Sequence, residues 1–140
     1  MKPSATEATW LVDASVALKW FMPPEREPDA DLARSVVGRL AMRTTTLAVY
    51  EIGNILTRKS GWKADRIAMA LKVLHDICGD PLELEPHDHQ VTAEIALAHD
   101  LTFYDASYAA IAQRTGRTLL SSDGDLLAPG LAVSLATTAG

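Results

Sequence analysis

The chain has 140 residues, of which 48% are apolar, and a formal net charge of −5. That length and apolar content, without a Gly/Pro/Ser-rich linker, fit a single domain over residues 1–140 with a real core and exclude a disordered or fibrous chain; residues 1–8 are expected to be a loose N-terminal segment. The acidic balance excludes a protein that grips nucleic acid through global positive charge, but not a nucleic-acid enzyme with an acidic pocket.

Residues 9–12 read as a buried strand that ends at Asp13, and Val16–Phe21 as a short helix stopped by Pro23 and Pro24, which cannot continue a helix interior. Residues 28–41 resume a helical period through Leu32, Val36 or Val37, and Leu40. The β-branched stretch Thr44–Ala48 reads as a second strand, running into a helix over 49–59 that carries Glu51 in or near its first turn. The next helix shows the clearest amphipathic pattern, with Ile67, Leu71, Leu74 and Cys78 on one face. Leu82–Leu84 reads as a third strand and 87–99 as a helix. Leu101–Tyr104 leads into Asp105 and a small-residue helix closed by Gly116. Residues 118–121 read as a fourth strand ending at Asp123, and 131–135 as a fifth.

Strands separated by helices imply right-handed crossovers, hence a three-layer α/β/α domain with a four- or five-stranded, mostly parallel sheet. In that topology the carboxyl ends of the strands share one edge, where α/β proteins hold ligands. Asp13, Glu51, Asp105 and Asp123 are thereby brought to one place. Each also has a plain structural reading. Asp13 and Asp105 suit helix N-caps, Glu51 suits the helix dipole, and Asp123 suits a turn. Two unit charges about 4 Å apart repel by roughly 4 kcal/mol at an effective dielectric near 20, so converging carboxylates call for a cation. An all-oxygen shell suits Mg²⁺ or Mn²⁺.

The strings Val12-Asp13-Ala-Ser15-Val-Ala-Leu-Lys19-Trp20, Tyr50-Glu51-Ile-Gly-Asn54, Tyr104-Asp105-Ala-Ser-Tyr108-Ala-Ala-Ile-Ala112 and Leu119-Leu-Ser121-Ser-Asp123 resemble, in order, the motifs of PIN-domain ribonucleases. More narrowly, the chain is similar to the VapC-type toxins of bacterial toxin–antitoxin pairs. The resemblance implies a Mg²⁺- or Mn²⁺-dependent endoribonuclease whose metal-binding acids fall on Asp13, Glu51, Asp105 and Asp123. Ser15 and Ser121 match its auxiliary hydroxyl positions. Asp125 is a rival to Asp123 for the last acid. The resemblance further implies an RNA substrate, a small antitoxin whose arm lies over the acidic cleft, and a homodimer, with residues 48–78 as candidate contact surface. No convincing Ser/His/Asp set is present, which agrees with a water nucleophile activated by metal.

The basic stretch Arg58-Lys59-Ser-Gly-Trp62-Lys63 with Arg66 suits RNA contacts, or else is a solvated helix junction with Trp62 in the core or at a dimer contact. Lys19 either faces the cleft or lies along the surface. His87-Asp88-His89 does not make a zinc site, because positions two apart on a helix do not share a face. Cys78 has no partner cysteine and reads as core filler. No apolar run approaches the roughly 18 residues of a membrane helix, and the start lacks signal-peptide character, so a cytoplasmic protein is expected. The competing readings are a phosphoacceptor receiver-like domain, a phosphatase, a silent PIN-fold binding module and a non-toxin PIN nuclease. The first two want a second acid beside Asp13 or a lysine after residue 117, and neither is there.

Overall fold

Leu11 and Val12 are adjacent in β1 (Trp10–Val12), and both are completely buried. Successive strand side chains point to opposite faces, so the sheet is covered on both sides, as an α/β layered domain requires. The computed structural model describes residues 9–59 and 61–139, and the expected loose segment at 1–8 lies outside them. The strands β2 (Met42–Arg43) and β3 (Thr118–Leu120) flank β1 in the order β2-β1-β3. Both pairings are parallel, with Leu11 opposite Arg43 and Leu119, and Val12 opposite Leu120.

The sheet has three strands where four or five are expected. The two missing edges are in place but pair through single residues: Leu82 bridges to Thr45 and Val133 to Leu120, both parallel. Leu82 follows Pro81, which has no N–H for a ladder, and the chain soon enters the tight turn Pro86–Asp88. Val133 lies between Gly130, at φ 78°, and the turn Leu135–Thr138, leaving no room for a longer strand. The second strand also comes earlier than Thr44–Ala48. Its threonines bond through their side chains instead: Thr44 Oγ1 donates to Val12 O at 2.7 Å, and Thr45 Oγ1 accepts from Ala48 N at 3.3 Å. Thr45 is therefore the cap of the next helix, the role its hydroxyl favours over a ladder position.

Seven helices occupy the rest of the described residues: α1 (Ala14–Ala17), α2 (Ala30–Ser35), α3 (Thr46–Thr57), α4 (Ala64–Cys78), α5 (His89–His99), α6 (Phe103–Thr115) and α7 (Gly124–Leu127). The expected helix at 16–21 is split into α1 and a 3-10 turn, Leu18–Trp20, and that at 28–41 shrinks to α2 because Gly38, at φ 82°, turns the chain. The helix α6 is buried from Ala106 to Ala112 on every face, with Gly116 in the left-handed conformation at its end. Its alanines let α5 pack closely along it. Cys78 is core filler as expected, its thiol pushed up to about 12 by burial. Among the described residues no helix is long and apolar enough to cross a membrane.

Candidate active site

Parallel pairing fixes the centre of the site. Val12 is opposite Leu120, so the next residues, Asp13 and Ser121, emerge side by side at the carboxyl ends of β1 and β3. Ser121 Oγ donates to Asp13 Oδ2 at 2.5 Å, and Ser15 Oγ donates to Asp13 Oδ1 at 2.6 Å. The same serines accept from the backbone: Ser15 Oγ from Ser122 N and Ser121 Oγ from Asp123 N, each at 2.9 Å. Asp13 also caps α1, accepting from Val16 N at 3.2 Å. Capping and site placement are thus the same geometry, since the cap turns the chain at the strand end.

Asp123 follows β3 and caps α7, its Oδ1 accepting from Asp125 N at 2.9 Å. Asp105 belongs to the first turn of α6, but the cap there is Thr102, whose Oγ1 accepts from Asp105 N at 3.0 Å. That corrects the capping reading of Asp105 and leaves its carboxylate uncommitted to the helix start. Carboxylate oxygens of Asp105, Asp123 and Asp125 lie within 4.8 Å of one another. Both candidates for the last acid are therefore in the cluster. Glu51 lies in the second turn of α3, past the first turn, and its Oε1 accepts from the hydroxyl of Tyr108 at 2.6 Å. Tyr108 sits one helical turn beyond Asp105 and is 2% exposed.

Burial and neighbouring like charges act on two of these acids, Asp13 and Asp105. Burial pushes the Asp13 carboxyl up, hydrogen bonds from Ser121, Ser15 and Val16 oppose the rise, and the charge of Asp123 adds to it. Asp105 is also raised, first by burial and then by the charges of Asp123, Asp13 and Asp125. Such shifts from desolvation and like charge are what a divalent cation would reverse. The donors are all carboxylate oxygens in a cluster of ligand-sized span, and they fit a hard cation of the Mg²⁺ or Mn²⁺ type.

The remaining sequence candidates lie elsewhere. Lys19 Nζ pairs with Glu27 Oε2 at 3.0 Å. Arg58 Nε reaches Asn54 Oδ1 at 3.4 Å, and Lys63 is exposed just before α4. Lys59 lines a cavity of about 710 Å³ together with Arg26, Arg34, Trp62 and Arg66. Trp62 is half-buried, with the Arg66 guanidinium 3.8 Å above its ring. The His87-Asp88-His89 string is structural: Asp88 is buried and held by Arg114 at 2.8 Å. The sequence reading gave no role to Tyr108, although its spacing of three from Asp105 on a helix places both on one face.

The chain is thus an α/β domain with a parallel sheet and a cluster of carboxylates, those of Asp105, Asp123 and Asp125, beyond its carboxyl edge. The chain belongs to the PIN domain family, whose pattern matches residues 10–130. It is 31% identical to ribonuclease VapC3 of Pyrobaculum aerophilum over 120 residues, which cover 83% of this chain and 90% of that protein. A crystal structure of another protein from Pyrobaculum aerophilum superposes with a TM-score of 0.70 at 28% identity, covering 94% of this chain and 87% of that one. A toxin–antitoxin complex from Klebsiella pneumoniae contains a chain of the same fold, with a TM-score of 0.70 at 12% identity over 89% of this chain and 96% of that one.

Proposed function

We propose that this chain is a divalent-metal-dependent endoribonuclease, the toxin of a toxin–antitoxin pair. The observation that carries the reading is the convergence of Asp105, Asp123 and Asp125 beside the buried, doubly hydrogen-bonded Asp13. Support also comes from the kinship with a ribonuclease over most of the chain and from family membership, which favours a nuclease over the phosphoacceptor and phosphatase readings. Asp13, Glu51, Asp105 and Asp123 would hold Mg²⁺ or Mn²⁺, with Asp125 available to the same shell. When bound, the cation would lower the pKa of water and offset charge on the scissile phosphate.

The protein's own groups supply orientation and proton handling. Ser15 and Ser121 hold the Asp13 carboxylate in one rotamer through its two oxygens. A carboxylate of the cluster not committed to the cation accepts the proton released by the attacking water. Lys19, Arg58, Lys59 and Lys63 are the proposed contacts to flanking RNA phosphates, which repulsion keeps from approaching the acidic edge without a bound cation. An antitoxin with a basic residue placed among the carboxylates would occupy the cation's place and silence the site. Homodimerisation through residues 48–78 and a cytoplasmic setting complete the proposal.

Purified protein is expected to cleave a circular single-stranded RNA, which has no ends, in Mg²⁺ or Mn²⁺; EDTA stops the reaction and added metal restores it. Cleavage that survives chelation rejects the metal mechanism. Cleavage confined to linear RNA rejects the endonuclease.

A further inference from the structure

The phenol of Tyr108 stands where two helices of the site meet. Its hydroxyl donates to Glu51 Oε1 on α3 at 2.6 Å. Tyr108 itself is carried by α6, one turn beyond Asp105. One hydrogen bond thus links the middle of α3 to the helix that presents Asp105. The distance is at the short end of the range for an O–H···O bond.

Glu51 needs such a partner more than the other acids do. Asp13 is fixed by two serines and a cap, and Asp123 by its own capping bond. Glu51 has the longer, more rotatable side chain and lies on α3, away from the triplet of Asp105, Asp123 and Asp125. A buried tyrosine hydroxyl must find an acceptor, and a backbone carbonyl would have served that need alone. Here the acceptor is the Glu51 carboxylate, and the bond to Oε1 leaves Oε2 for a ligand.

We propose that Tyr108 is a positioning residue that fixes the Glu51 carboxylate for cation binding by tying it to α6, the helix that presents Asp105. This rests on the metal-dependent reading above. Side chains that orient a metal ligand commonly alter affinity by about 10–100-fold when removed. The Tyr108→Phe variant keeps the ring that fills the core and loses only the hydroxyl.

The test is Mn²⁺ binding to the chelator-stripped full chain, measured by calorimetry without RNA. The Y108F variant is expected to bind Mn²⁺ about 10–100-fold more weakly than wild type. In a Glu51→Gln background the same change is expected to have little further effect, because the two act as one unit. Wild-type affinity in Y108F overturns the proposal, as does an equal loss in both backgrounds, which would place the effect elsewhere. A second readout needs no variant: the Tyr108 ring NMR signals of the wild-type chain should shift on addition of Mg²⁺, and unmoved signals at saturating Mg²⁺ also overturn it. If wild-type protein binds no Mn²⁺ at all, the metal reading fails and takes this inference with it. If wild-type protein binds Mn²⁺ and cleaves RNA while Y108F matches it, only the role of Tyr108 fails.

Discussion

Two aspartates of this chain are buried to almost the same degree, Asp13 at 3% exposure and Asp88 at 4%, yet their surroundings are opposite. Burial alone would raise the Asp88 carboxyl, but the Glu85 N–H, two-oxygen contact with Arg114 and the Arg114 charge outweigh it and hold the group below the usual range. Asp13 has donors from serines and a backbone N–H but, among the described residues, no cationic partner, and its carboxyl is raised. A buried acid that is paired is part of the scaffold. One that is hydrogen-bonded, raised and faced by further acids is placed for a ligand not supplied by the chain. Both are closed to solvent, but Asp13 is set deeper in the domain and lacks the guanidinium that Asp88 has, so desolvation prevails at the first and pairing at the second.

The largest expected contrast is in activity. Asp13→Asn should reduce RNA cleavage to the level seen in EDTA while the protein stays folded, whereas Asp88→Asn should retain cleavage at temperatures where it is folded. Full activity in Asp13→Asn breaks the comparison outright. Stability should reverse the order. In EDTA, Asp13→Asn is expected to unfold no more easily than wild type, because it removes a buried charge, its amide oxygen can still accept from one serine, and the other serine's hydroxyl can turn to accept from the amide NH2. Asp88→Ala strands the Glu85 N–H and leaves Arg114 Nε without its acceptor, although Nη2 keeps Glu83 O, with an expected loss of about 1–3 kcal/mol by urea unfolding. The larger values known for fully buried pairs do not apply, since Arg114 is 30% exposed and water can solvate it. A loss for Asp13→Asn that exceeds that of Asp88→Ala would invert the roles assigned here.

The pH dependence separates the two acids by sign. The folded pKa of Asp88 is depressed, so its contribution is present above the unfolded carboxylate value of about 3.9 and is lost as pH falls through the folded value. The folded pKa of Asp13 is raised, so its contribution is fully present below about 3.9 and is lost as pH rises through the folded value. In EDTA, replacing Asp13 by Asn should therefore flatten the decline of stability with rising pH above about 4. Replacing Asp88 by Asn should flatten the decline on acidification below it. Urea midpoints across a pH series check both, and an unchanged slope in either variant shows that the assigned acid does not titrate on unfolding.

Much of this was legible from residue types alone. The strand ending in Asp13 and the parallel topology follow from apolar runs broken by carboxylates, because a buried strand and its turn leave local marks, and that topology brings Asp13, Asp105 and Asp123 near one another. The edges at Leu82 and Val133 were readable as apolar segments but not as single-residue bridges, since their length depends on what Pro81 and the turn after Val133 permit in space. The threonines at 44 and 45 misled for a related reason: β-branched residues favour strands, but a hydroxyl at a helix start outweighs that preference. The membership of Asp125 and the part played by Tyr108 depend on contacts between distant segments, which spacing does not encode.

Ser121 offers the finest test of the contrast, because it modifies Asp13 without removing it. Its hydroxyl donates to Asp13 Oδ2 and is the foremost of the hydrogen bonds that hold the Asp13 carboxyl down against burial. In Ser121→Ala that restraint is gone, while Ser15 and the Val16 N–H still hold Oδ1. The carboxyl should then rise further, and protons compete with cations for it. Mn²⁺ binding to the variant is expected to need a higher pH than wild type, with affinity converging at alkaline pH where Asp13 is ionised in both. A loss that is the same at every pH would mean that Ser121 shapes the site only by packing. An unchanged pH profile in Ser121→Ala together with a wild-type stability slope in Asp13→Asn would show that folding does not raise the Asp13 carboxyl, and the distinction from Asp88 would then rest on geometry alone.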